Sequence, residues 1–92
     1  MSVNEQLNSV RLLLEAEKAQ DARNAFQHID AEETTAYYLL KGKIDQKFQN
    51  WGEAINAFNK VLELDPDNAE ANNNLHLIQN ILNFWNPEMF NP

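Results

Sequence analysis

An alanine, an aromatic residue four positions on and a β-branched residue three further occur twice in this chain. They are Ala22, Phe26 and Ile29, and again Ala54, Phe58 and Val61, displaced by 32 residues. Steps of four and three keep residues on one stripe of an α-helix. A two-helix unit recurring at about this period means stacked helical hairpins, a short solenoid in which each unit buries its stripe against the next.

Around the second copy, Trp51, Ala54, Phe58, Val61 and Leu62 fall on a single helical face. Asn50 followed by Glu53 has the pattern of a capping box, and Pro66 removes the amide that would continue the ladder. The helix is therefore expected from about Trp51 to Leu64. Asp67 and Glu70 form a second such pattern, opening a helix with Leu75, Ile78, Leu82 and Trp85 on one face. Ser2 and Glu5 form a third, followed by Leu7, Val10, Leu13 and Leu14 to about Glu17. Between the copies, Tyr37, Leu40, Ile44 and Phe48 supply another stripe, so five helices are expected. Antiparallel helices 8–10 Å apart need a small side chain where they cross. Ala54 is expected there, facing Gly42, with Phe58 and Val61 reaching to the following hairpin.

Ninety-two residues make one small domain, and two glycines with 43 % apolar residues fit a compact helical chain. The sequence has no cysteine, which excludes disulfides and thiolate metal sites and fits a reducing compartment. Fourteen acidic against seven basic residues give a net charge of −7, a field that repels nucleic acid and anionic membranes. The start MSVNEQLNSV has neither the basic residues nor the apolar core of a secretion signal, and the apolar runs are far too short to span a bilayer. The chain reads as cytoplasmic.

The segment YYLLKGKIDQKFQNWGEAINAFNKVLELDPDN resembles a tetratricopeptide repeat (TPR). Tyr38, Gly42, Trp51, Ala54, Phe58 and Pro66 stand at its aromatic, small and closing-proline positions. The segment departs from the pattern at three places. Asp45 lies where an aromatic is usual, Lys41 where an apolar residue is usual, and Gln49-Asn50 replaces a glycine-containing turn. Asn4 to Glu33 resembles the repeat more weakly, keeping Ala22, Phe26 and Ile29. The ending ILNFWNPEMFNP looks like tails that follow the last repeat in some bacterial proteins of this family. The resemblance implies an all-α superhelix: repeat one over about 3–33, repeat two over about 35–68, a closing helix over about 68–84 and an apolar tail over 85–92.

It also implies a function, because in this family the first helix of each hairpin lines a concave groove that takes extended peptides or partner helices. Carried over position by position, the groove would hold Asn4, Asn8 and Arg11, then Leu39, Lys43, Gln46 and Lys47, then Asn73, Leu77 and Asn80. Three of the seven basic residues would share it, which suits an acidic segment or a free C-terminal carboxylate. The blander account is that Arg11, Lys43 and Lys47 solvate a helix face and balance nearby acids. The apolar end, Phe84, Trp85, Met89 and Phe90, is expected to fold back over the exposed side of the last helix. Docking on a second copy is the other course, and homo-oligomerisation, with a homodimer as the product, is then the alternative function.

Nothing in the sequence assembles catalytic chemistry. His28 and His76 lack any surrounding motif, and no phosphate-cradling loop or nucleophile elbow is present. The acidic run DPDNAEAN departs from a calcium loop at Ala69, Glu70 and His76, and a helix start explains it. No enzyme activity, cofactor or metal is expected, and the expected partner is a protein or peptide rather than nucleic acid or membrane.

Overall fold

The computed structural model describes residues 2–30 and 33–85. Among them the chain is all-α: α1 Val3–Glu15, α2 Ala19–Gln27, α3 Thr35–Lys47, α4 Trp51–Leu64 and α5 Ala69–Trp85, with no strand. The first four helices form two antiparallel hairpins in register at 32 residues, since α1 and α3, like α2 and α4, start 32 apart.

The caps repeat with the helices. Ser2 Oγ accepts from the Glu5 amide at 3.2 Å, and Thr34 Oγ1 accepts from the Tyr37 amide at 3.3 Å. Each satisfies one of the orphan donors of a helix start. Two expected caps differ. Asn50 stands at the N-cap of α4, but its side chain makes no cap hydrogen bond, and Glu53 instead reaches Lys41 Nζ at 3.3 Å. For α5 the capping residue is Asn68 rather than Asp67: Asn68 Oδ1 accepts from the Ala71 amide at 2.9 Å. Asp65 and Pro66 begin a turn closed by the Asn68 amide on the Asp65 carbonyl at 3.0 Å. That turn spends Asp67 on the reversal and delivers Asn68 to the helix start.

Both hairpins close by the same device. Glu17 and Gln49, again 32 apart, have φ 61°. The Lys18 amide bonds to the Leu13 carbonyl at 2.9 Å and Glu17 to Leu14 at 3.1 Å. Asn50 bonds to Asp45 at 2.8 Å and Gln49 to Gln46 at 3.0 Å. These are Schellman closures, which satisfy the last carbonyls of a helix through one left-handed residue. A glycine usually fills that position; here side chains are forced into it twice, at about 1–2 kcal/mol each.

The apolar residues divide into two clusters. Leu7, Val10, Leu14, Ala22, Leu40 and Ile44 make the first; Ala54, Phe58, Val61, Ala71 and Ile78 make the second. Helix α3 serves both, sending Leu40 and Ile44 into one and Tyr38 and Leu39 into the other. At the close crossing of α3 and α4, Phe58 rather than Ala54 covers Gly42. A Cβ on Gly42 would lie 2.8 Å from two atoms of that ring. Ala54 is fully buried in the second cluster, packed with Phe58 and the α5 residues Ala71 and Ile78. The two unusual residues of α3 answer each other. Lys41 Nζ donates to Asp45 Oδ2 at 2.9 Å, so an ion pair one turn apart stands where an apolar and an aromatic residue are usual.

Candidate partner-binding groove

Helix α3 packs on α1, is tied to α5 by the Lys43–Glu70 pair, and all three helices contribute to one face. A cleft of about 560 Å³ runs from the α1–α2 turn across α3 to α5. A second, of about 240 Å³, continues it towards the start of α1 and α3. Arg11 and Lys43 line both, so the two are one groove. Its floor is apolar: Leu7, Leu39 and Leu40 at one end, Leu14, Trp51 and Ile81 at the other.

The rim is charged and internally paired. Arg11 Nη1 donates to Glu15 Oε1 at 2.8 Å, and its Nη2 and Nε donate to Asn8 Oδ1 at 2.6 and 3.2 Å. Lys43 pairs with Glu70 across the groove, tying α3 to α5. Lys47 reaches Glu17, the left-handed residue of the first turn, at 3.4 Å. Three cations thus face three carboxylates, a locally neutral strip on a chain of charge −7. All six side chains are partly or well exposed, and such pairs contribute about 0–1 kcal/mol each. An incoming carboxylate can therefore exchange with an internal one at small cost.

Of the residues that the sequence places in a groove, Asn4, Asn8, Arg11, Leu39, Lys43, Gln46 and Lys47 line the clefts. Asn73, Leu77 and Asn80 are exposed on α5 but lie outside both; α5 contributes Glu70, Asn74 and Ile81 instead. The 34-residue step from Thr34 to Asn68 sets the correspondence of α5 with α3, and the difference lies in which side of α5 turns to α3. It places Glu70, Asn74 and Ile81 at the positions of Ala36, Leu40 and Lys47. Asn73, Leu77 and Asn80 correspond to Leu39, Lys43 and Gln46, the part of α3 turned towards the next helix. Because α5 ends the stack among the described residues, that part of it has no helix beyond. Trp51, Leu14 and the turn residues Glu17 and Gln49 also line the groove, which only the folded hairpins reveal.

Phe84 is 77 % exposed near the end of α5. The Trp85 side chain and the residues Met89 and Phe90 lie outside what the structure describes. His28 Nδ1 bonds to the Asn24 carbonyl at 2.9 Å on the surface. Among the described residues, no group of three His, Asp or Glu is placed to hold a metal, and no helix is long and apolar enough to cross a membrane.

The close approach of Gly42 to Phe58, the buried Ala54 and the turn at Pro66 all fall inside one window that matches a family model, residues 42–80. Those residues are a TPR repeat. The TPR window takes in the later part of α3, all of α4 and most of α5, including the side of the groove formed by Lys43, Gln46, Lys47, Trp51, Glu70 and Asn74. A TPR repeat implies a protein–protein interaction module, typically non-catalytic. No curated protein and no solved structure matches the chain.

Proposed function

We propose that this chain is a non-catalytic module that holds a segment of another protein, an extended peptide or a helix, in the α1–α3–α5 groove. It favours segments bearing acidic side chains or a free C-terminal carboxylate. The reading rests above all on the continuity of the groove across all three helices through Arg11 and Lys43. A bound segment buries apolar side chains on Leu7, Leu39, Leu14, Trp51 and Ile81. Its carboxylates replace Glu15, Glu70 or Glu17 on Arg11, Lys43 or Lys47, a swap of charge-assisted hydrogen bonds.

Titrating an acidic peptide and its amidated, neutral counterpart against the wild type and a Lys43→Ala/Lys47→Ala variant tests this. The expected result is tighter binding of the acidic peptide, with that advantage lost in the variant. Equal binding of both peptides to both proteins would sink the carboxylate preference. Self-association is the second reading, supported by the exposure of Leu77 and Phe84 on α5. It requires a concentration-dependent sedimentation coefficient in the full chain that a Leu77→Ser/Phe84→Ser variant abolishes.

A further inference from the structure

A separate cleft of about 270 Å³ opens between α2 and α3 and shares no lining residue with the groove. Phe26, Ile29, Tyr37 and Ile44 supply its apolar walls, and Arg23, Lys41 and Asp45 its charges. Arg23 stands 32 residues before Ile55. An arginine thus takes a half-buried position that the other hairpin gives to an isoleucine packed in its core. The guanidinium carbon lies 4.1 Å from the centroid of the Phe48 ring, a cation–π contact that orients the group.

Among the described residues Arg23 forms no ion pair, and its Nε–H is buried without a hydrogen-bond partner. Leaving a buried donor unpaired weighs against the free protein. The nearby carboxylate does not relieve it, because Asp45 accepts from Lys41 at 2.9 Å, and Lys41 is further held by Glu53 at 3.3 Å. Of the charges lining the cleft, Lys41 and Asp45 meet each other, and the Arg23 guanidinium is left without a carboxylate, set among apolar walls.

We infer that this cleft is a second binding site, which takes one carboxylate carried beside an apolar group, as an acidic residue next to an aromatic or aliphatic one on a protein partner provides. The carboxylate accepts two parallel bonds from the guanidinium, drawing Nε out of its dry position. The apolar neighbour packs on Phe26, Ile29 and Ile44. A phosphate dianion fits less well, because its second charge would face Asp45 with no cation left to meet it.

Phenylacetate, phenethyl alcohol and inorganic phosphate, each titrated into the full chain and followed by NMR of backbone amides and arginine Nε–H groups, test the site. Phenylacetate should shift the Arg23 Nε–H and the Tyr37 and Phe48 signals saturably, binding about tenfold or more tighter than the alcohol or phosphate. Arg23→Met, which keeps the apolar stem, should lose the response and melt at a higher temperature than wild type, since the orphan donor is gone. Arg23→Lys, which keeps charge without the fork, should bind more weakly than wild type. Lys43→Ala/Lys47→Ala should leave the response unchanged, separating this site from the groove. Shifts that survive in Arg23→Met, that centre on Arg11 and Lys43, or that phosphate reproduces equally would overturn the inference.

Discussion

The two hairpins share caps, closing turns and a 32-residue register, yet they pack differently. In the second, Gly42 lets the Phe58 ring lie against the α3 backbone, and the ring is fully buried. In the first, Val10 holds the matching place with a side chain that is itself fully buried. Phe26 is left half-buried, its ring 4.9 Å from that of Tyr37 on α3. Helix α2 has 9 residues and α4 has 14. One sequence interval thus supports two qualities of packing, and the size of the residue opposite the aromatic decides between them. Where no side chain intervenes, the ring joins the core of its own hairpin and that of α5 (Ala71 and Ile78). Where one does, the ring serves mainly as a contact to the next hairpin.

Deleting each aromatic in turn separates the two hairpins most clearly. Phe58→Ala should cost about 3–5 kcal/mol in chemical denaturation, as a cavity in a closed core. Phe26→Ala should cost roughly half as much, because part of its surface already faces water. Equal losses would show the two hairpins to be equivalent.

Next in size, Gly42→Val would give the second hairpin the side chain of the first. The added Cβ meets the Phe58 ring, so the ring must move, at about 1–3 kcal/mol. An unchanged denaturation midpoint would refute the account of Gly42.

A smaller effect should be shared. Gln49→Gly and Glu17→Gly each relieve a side chain at φ 61°. After allowance for the greater freedom of glycine when unfolded, each should gain about 0.5–1 kcal/mol. Similar gains would show that turn strain is independent of packing quality; a gain in one hairpin alone would tie the two together.

The smallest expected effect concerns pH. For Lys41, burial lowers the pKa, but the hydrogen bond and charge of Asp45, followed by those of Glu53, outweigh it, so the net shift is upward. Tyr38 is raised by loss of surrounding water and then by its hydrogen bond to Glu33, and Lys60 is raised chiefly by its hydrogen bond to Glu63. Each holds its proton more tightly when folded. The stability they contribute is present in full below their ordinary values of 10.0 to 10.5, and is lost as pH rises through the folded ones. Tyr38 and Lys41 lie on α3 and Lys60 on α4, so this alkaline loss belongs to the second hairpin. Thermal midpoints between pH 8 and 11 should fall less steeply in Lys41→Met. An identical slope would remove Lys41 from the account.

Much of the fold was legible because helix periodicity and termination are local properties. The stripe from Trp51 to Leu62, the stop at Pro66 and the paired intervals at Ala22 and Ala54 need no tertiary information. Capping is less local. Asp67 and Asn68 are both good caps, and only the turn begun by Asp65 and Pro66 chooses between them. Asn50 has the right neighbours, but Lys41 draws Glu53 away from it. In the groove, the lining residues of α1 and α3 follow from their places in the repeat. Those of α5 depend on which side of that helix turns to α3, a matter of stacking rather than spacing.

By itself, then, the sequence determined an all-α stack of hairpins, its period and its helix ends, since each is encoded within a few turns of chain. The tertiary structure alone decided that Phe58 rather than Ala54 closes over Gly42, that Lys43 and Lys47 take Glu70 and Glu17, and that Arg23 is left without a carboxylate. Such pairings form between residues brought together by packing, at separations that no local pattern records. An ion pair worth a fraction of a kcal/mol follows the helices once they are placed and does not place them.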